Sequence, residues 1–302
     1  MPFIVKIKKL IAETFIITIA FFIFSGTVTA QEIREPAVSG LFYPGERFEL
    51  LAMIEEFLKS VEIRPTEGEL VGFIVPHAGY VYSGRVAAYS YWLLQGKQGK
   101  TIFIIGPSHH VSFKGASAGN YRAYRTPLGD VKVDCEIVSR LISSGRGIDF
   151  YTKAHKKEHA IEVQLPFLQA VVRDFSIVPL LIGDFSYETC SALADAIIQA
   201  SGNRDVIFIA STDLSHYHTY QDAVRIDSKT IQAIQKIDPE LLFKGVRRGE
   251  YELCCAAPVI TLMIILKNIK GVKAVPLFYA NSGDAGGDRS QVVGYASIAF
   301  FR

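Results

Sequence analysis

Cysteine is scarce in this chain of 302 residues, which holds four, and neither sign of charge is in excess, with 32 Lys and Arg against 30 Asp and Glu. Cys135, Cys190, Cys254 and Cys255 are too few and too unevenly spaced for a disulfide framework, so disulfides are not expected to hold the fold. A Cys135–Cys190 bridge would require the two Cα atoms to lie within about 7 Å. The basic face that neutralises nucleic-acid phosphates is missing too, since Lys and Arg are mixed with Asp and Glu along the whole chain; no nucleic-acid partner is expected. Internal repeats, low-complexity tracts and long linkers are also lacking. The most apolar stretch, from Leu10 to Phe24, is interrupted by Glu13 and falls short of the roughly 20 apolar residues of a spanning helix.

That stretch has a different reading. Lys6, Lys8 and Lys9 precede an apolar run from Phe15 to Phe24, followed by Val28-Thr29-Ala30. Charged start, apolar middle and small-residue exit describe a secretory signal peptide over residues 1–30, cleaved between Ala30 and Gln31 and leaving no stable membrane anchor. No twin-arginine pair precedes the run, so Sec-type export to a periplasmic or extracellular location is expected. The leader carries three Lys and one Glu, so the mature chain has 29 basic against 29 acidic residues and a formal charge of zero. Its remaining residues, 31–302, are enough to bury a large core as one domain.

From Leu70 onward, short β-rich apolar runs alternate with longer stretches of helical period, the pattern of strands joined by crossover helices. Val71–Val75, Thr101–Ile105, Ile177–Ile182, Val206–Ile209 and Val275–Phe278 read as central strands, continuously apolar because both faces are covered. Gly84–Leu94, Glu136–Ile142, Tyr187–Ala200, Ala223–Ile234 and Ala257–Asn268 read as helices, and Gln291–Phe300 as a closing strand. The expected fold is a single α/β domain with a mostly parallel central sheet flanked by helices.

Three of the strands run directly into polar clusters: Pro76-His77-Ala78-Gly79-Tyr80, Gly106-Pro107-Ser108-His109-His110, and Ser211-Thr212-Asp213-Leu214-Ser215-His216. All follow carboxyl ends, the edge where open parallel sheets bind ligands. One such His is more often a loop residue bonded to a carbonyl; three clusters on one edge point to a site. All seven histidines lie between positions 77 and 218, and neutral imidazole is the commonest metal ligand. His109 and His110 leave their strand on opposite sides, so one of them can face a metal while the other orients substrate. Glu158-His159-Ala160-Ile161-Glu162 reads as a helical turn running to Pro166, either a solvated helix start or a support for the site; with one His it is no metalloprotease signature. Cys254-Cys255 precedes a strongly apolar helix, whose positive end would favour a thiolate able to ligate a metal; a buried structural cysteine is the plainer alternative.

These motifs, with Arg34-Glu35-Pro36-Ala37-Val38-Ser39-Gly40, Phe42-Tyr43 and Pro258 four residues after Cys254, resemble the Memo family, whose prokaryotic members are called AmmeMemoRadiSam system protein B. The resemblance runs from about Arg34 to the end. It implies a fold similar to the class III extradiol dioxygenases and a bound metal, iron (Fe2+) first, with copper or zinc as alternatives. The metal ligands it implies are His77, His109 and Cys254, with Asp213 and His216 beside them; Cys255 stands where the family usually has Gly. A thiolate in place of the dioxygenase carboxylate shifts preference towards Cu(I), Zn or a more reduced iron. The family's AMMECR1-like and radical-SAM partners are not expected to meet an exported copy.

On this reading the protein is a mononuclear metalloprotein with oxidoreductase character. His216 would serve as acid or base oriented by Asp213, His110 would share the catalytic work, and Tyr80, Tyr82, Phe42 and His159 would contact the substrate. A non-catalytic protein that keeps the pocket for a peptide or small molecule is the main alternative, and a metal-dependent hydrolase the third. The three donor atoms are expected within about 4 Å of one another, with Cys255 pointing away.

Overall fold

The computed structural model describes residues 32–63, 67–202 and 204–302; the expected leader lies outside them. In chain order the elements are α1 (Arg47–Lys59), β1 (Leu70–Val75), α2 (Tyr80–Trp92), β2 (Thr101–Pro107), β3 (Ala116–Ala118), β4 (Ala123–Thr126), β5 (Gly129–Lys132), α3 (Cys135–Ile142), β6 (Ile148–Asp149), α4 (Thr152–Lys156), a 3-10 turn (Glu162–Gln164), α5 (Leu165–Val171), β7 (Ser176–Ile182), α6 (Tyr187–Ser201), β8 (Val206–Ser211), β9 (His216–His218), α7 (Tyr220–Gln235), α8 (Pro239–Arg247), α9 (Ala256–Lys267), β10 (Lys273–Asn281) and β11 (Val292–Phe301).

The sheet runs β10-β11-β1-β8-β2-β7-β3-β6, with β9 added to β11, while β4 and β5 pair apart. Its centre, β1-β8-β2-β7, is parallel throughout. Every residue of β1 and β2 is buried, as continuous apolar runs require when both faces are covered. Gly72 is needed within β1, because a Cβ there would meet Phe208 O at 2.2 Å. Helices α1, α2 and α5 pack together against β1 and its neighbours, and α6, α8 and α9 form a second group against β8 and β2. Helix α9 is apolar on all sides and accordingly buried nearly throughout. Among the described residues no helix is long and apolar enough to cross a membrane.

The chain is thus a single α/β domain, but its margins differ from the expectation. The run Val275–Phe278 belongs to β10, which is antiparallel to β11 and forms the outer edge of the sheet with a half-exposed burial pattern. Pro276 has no amide hydrogen for a ladder, which suits an edge strand and not a central one. Four of the described helices were not anticipated: α1, the short α4 and α5, and α8. Helix α1 buries only the stripe Leu50, Ile54 and Leu58, and α8 starts at Asp238, whose side chain accepts from Leu241 N, with Pro239 in its first turn.

Candidate metal centre

Strands β1, β8 and β2 are neighbours running the same way, with Val75 opposite Ser211 and Ile105 opposite Ala210. Their carboxyl ends therefore deliver His77, Asp213 and His109 side by side. The fourth segment is tied in by backbone, since Cys254 N donates to Asp213 O at 3.1 Å and places the start of α9 against the end of β8. One donor atom each from His77, His109 and Cys254 lies within 4.8 Å of the others, and Cys254 Sγ is 3.3 Å from His77 Nε2. The sulfur–nitrogen separation lies inside the about 4 Å expected for two ligands around a common ion.

Each imidazole is held by the nitrogen that faces away from this cluster. Ser211 Oγ donates its only hydrogen to Ala160 O at 2.7 Å, so it must accept from His77 Nδ1 at 3.1 Å, as it accepts from Gln164 Nε2 at 3.0 Å. In the neutral ring the proton then sits on Nδ1 and Nε2 is left with its lone pair. His77 N also donates to Asp213 Oδ1 at 2.8 Å. His109 donates Nδ1–H to Glu158 Oε1 at 2.8 Å and its backbone N–H to Oε2 at 2.7 Å, the carboxylate–histidine arrangement that orients metal ligands.

Glu158 is not itself a free ligand. Beyond His109 its carboxylate accepts from the backbone N–H groups of His159 and Ala160, so although His109, Glu158 and His159 cluster closely, four donors already occupy the carboxylate. Burial opposes ionisation of Glu158, but the hydrogen bonds and charge of His109 and the backbone donors hold its carboxyl down to about 2. Burial likewise disfavours charge on His109, yet its bonds to Cys254 and Glu158 lift it to about 10. The Cys254 thiol is pushed up to about 11 by a hydrogen bond with Cys255 and by burial. A metal entering the site would therefore displace protons from His109 and Cys254.

His159, expected to meet substrate, stacks on His109 with ring centres 4.5 Å apart and meets His77 edge-on at 5.4 Å; Phe42 backs it at 4.9 Å. Burial and the neighbouring His77 charge drive its pKa down to about 3, so it is neutral there.

The family model described as Memo-like protein matches residues 34–299. This chain belongs to the Memo family. A MEMO1 family protein of Sulfolobus acidocaldarius is 38% identical to it over 283 residues, covering 89% of this chain and 99% of the relative. One from Methanosarcina mazei is 40% identical over 273 residues with the same coverage. Among solved structures, the uncharacterized protein JW3007 of Escherichia coli K12 aligns at 13% identity with a TM-score of 0.42, over 66% of this chain and 85% of that one, a likeness too loose to argue from.

Several residues of this Memo-family chain sit differently from the expectation. Asp213 does not orient His216. Its side chain serves His77, while His216 opens β9 and its Nδ1 donates to Leu214 O at 3.0 Å. His110 is exposed, 6.4 Å from the His159 ring and outside the donor cluster. Tyr80 is a core residue; as the first residue of α2 it packs on Tyr43 and Phe167, and its hydroxyl donates to Val163 O at 2.6 Å. Tyr82 is half exposed. The cavity that reaches the cluster, about 370 Å3, opens on the α9 side between the ends of β2 and β7, and none of Phe42, Tyr80, Tyr82 or His159 lines it. Cys255 does not turn away either, since it lines that cavity together with Cys254.

Glu162, four residues after Glu158, is fully buried with another task. It pairs with Arg34, accepts from Tyr43 Oη at 2.7 Å, and takes the N–H groups of Ala37 and Val38 at 2.7 and 3.0 Å. Arg34 Nη2 in turn donates to Glu158 O at 2.6 Å, locking the loop that supports His109. His155 is also structural: buried, bonded to Tyr124 Oη at 2.9 Å and Ser117 Oγ at 3.0 Å, and driven to about 3 by burial and the Arg34 charge.

Proposed function

We propose that this Memo-family chain is an exported protein that holds a single metal ion through His77, His109 and Cys254 and acts as an oxidoreductase on a small molecule. The observation that carries the reading is the convergence of two imidazole nitrogens and one sulfur, with each imidazole's other nitrogen committed to a fixed partner. The donor set fits iron, copper or zinc and suits neither magnesium nor calcium, which prefer oxygen. Iron is the first choice because the fold resemblance is to iron enzymes. Bound there, such an ion would supply Lewis acidity and, if redox-active, electron transfer.

The chain's own residues do the rest. Glu158 and Ser211 fix the two imidazoles, and His216, held through Nδ1 by Leu214 O, is the candidate acid or base. The cavity beside Cys254 admits a small molecule or the tip of a peptide. Export would separate this copy from AMMECR1-like and radical-SAM proteins. Metal analysis of protein purified without added metal tests the first step: near-stoichiometric metal, lost in Cys254→Ser and His77→Ala, is expected. Oxygen uptake with a panel of catechols on the iron-loaded protein tests the second. Metal-free protein that takes up no iron, copper or zinc would overturn the reading.

A further inference from the structure

Cys254 is followed directly by Cys255, and both thiols are free, partly exposed and on the wall of one cavity of about 370 Å3. The Cys254 sulfur is 3.3 Å from His77 Nε2 and 3.6 Å from Thr212 Oγ1, and its residue shares the cavity wall with its neighbour Cys255. The other two cysteines are committed elsewhere: the Cys190 thiol points to Ala257 O at 3.6 Å and the Cys135 thiol to Tyr121 O and Val133 O, each at 3.6 Å.

We propose that Cys254 and Cys255 are a thiol–disulfide couple, whose oxidised form withdraws the Cys254 sulfur from His77 and His109 and abolishes metal binding. The metal half of this statement rests on Cys254 being a ligand; the disulfide half does not. The oxidant is a low-molecular-weight disulfide, small enough to enter the cavity. Cys255 gives up its proton to solvent and attacks one sulfur of that disulfide, forming a mixed disulfide and releasing one thiol. The Cys254 sulfur, also deprotonated, then attacks the Cys255 sulfur and expels the second thiol. Two S–H bonds are lost, one S–S bond forms in the protein, and two electrons reduce the small disulfide to two thiols. Cys255 attacks first because the Cys254 sulfur faces the histidines and would be occupied by a bound metal. Neighbouring Cα atoms are about 3.8 Å apart, below the roughly 4.4 Å at which ordinary disulfides begin, so the bond is strained and readily reduced back.

The test treats the purified metal-free protein with oxidised glutathione, unfolds a portion in guanidinium to block remaining thiols with N-ethylmaleimide, and reads intact and peptide masses, with Co2+ uptake of the folded portion followed in parallel. Wild type should retain two alkylatable thiols, Cys135 and Cys190, with two hydrogens lost from the peptide carrying Cys254 and Cys255. Its Co2+ uptake should fall at least tenfold and return with a phosphine reductant. Cys255→Ser should bind Co2+ when reduced and, when oxidised, carry at most a glutathione adduct with no internal bond. A stable mixed disulfide on wild type, four alkylatable thiols, or full Co2+ uptake by the internally bridged protein overturns the proposal. Failure of the reduced protein to bind Co2+ while the internal bond still forms overturns the ligand role of Cys254 instead.

Discussion

Glu158 and Glu162 are both buried carboxylates one helical turn apart in sequence, and replacing each by Gln should damage different properties. In Glu158→Gln the amide can keep one oxygen towards His109 Nδ1, but its NH2 then faces the His109 backbone N–H, where Oε2 now accepts at 2.7 Å. A buried donor left without an acceptor costs about 1–3 kcal/mol of stability. His109 also loses its anionic partner, and changes of this kind typically lower metal affinity about 10–100-fold, or roughly 1.4–2.7 kcal/mol. In Glu162→Gln the metal-facing residues are untouched, while the buried Arg34 guanidinium loses its counter-charge. Breaking a buried pair from one side costs about 3–5 kcal/mol, which for a domain of this size lowers Tm by roughly 6–20 °C.

The assays are a Zn2+ titration against a competing chelator and a thermal melt of each metal-free variant. The expected pattern is a large affinity loss with a modest Tm loss for Glu158→Gln, and the reverse for Glu162→Gln. Should Glu162→Gln fail to fold, Tyr43→Phe serves in its place, because it removes one donor to Glu162 and leaves Arg34 paired with Glu162 and bonded to Glu158 O. Wild-type Zn2+ affinity in Glu158→Gln, or equal affinity losses in the Glu158 and Glu162 or Tyr43 variants, would refute the division of labour.

Other expectations concern acid, the neighbours of the site and the N-terminus. His155 is held neutral, down to about 3 against an ordinary 6.5, so its contribution is fully present above pH 6.5 and is lost as pH falls from 6.5 towards 3. Over that window up to roughly 3–5 kcal/mol should disappear from urea-unfolding stability, and His155→Gln should flatten that part of the curve. Asp213→Asn should keep its metal with affinity reduced by about tenfold or less, since an amide oxygen can still accept from His77 N; His216→Ala should change affinity by only a few-fold while impairing any turnover. Complete metal loss in either, read by elemental analysis, would make that residue a ligand. Mass spectrometry of protein recovered outside the cytoplasm should find Gln31 at the N-terminus; an intact Met1 on cytoplasmic protein would contradict export.

The parts of the fold visible in the sequence were those dictated by local pattern. β1, β2, β7 and β8 are uninterrupted apolar runs because both faces are covered, and each ends where polar residues begin. The edge strand β10 carries an apolar run of the same kind, and only Pro276 marked it as peripheral. Tyr80 was misplaced because the sequence puts it next to a site histidine, whereas α2 begins there and turns the ring into the core. The segment from Glu158 was misread in period: the chain is non-helical up to Ile161, so Glu158 faces His109 and Glu162 faces Arg34, 128 residues away. Partners at that separation leave no local trace.

What assembles the site is also the part that spacing alone could not specify. Residues 77, 109 and 254 are brought together by strand order, which sets β8 between β1 and β2, and by the turn that leaves β8. That turn acts in two directions. The Asp213 side chain receives the His77 amide at 2.8 Å, and its carbonyl receives the Cys254 amide at 3.1 Å. Thr212 Oγ1 lies 3.6 Å from the Cys254 sulfur and accepts from Cys255 N at 3.4 Å. Two consecutive residues at the end of one buried strand therefore fix the imidazole from β1 relative to the thiol from α9. A substitution that moved this turn would separate nitrogen from sulfur while leaving the sheet intact, because the strands are held by their own apolar faces and the donor set is held by polar contacts at their ends.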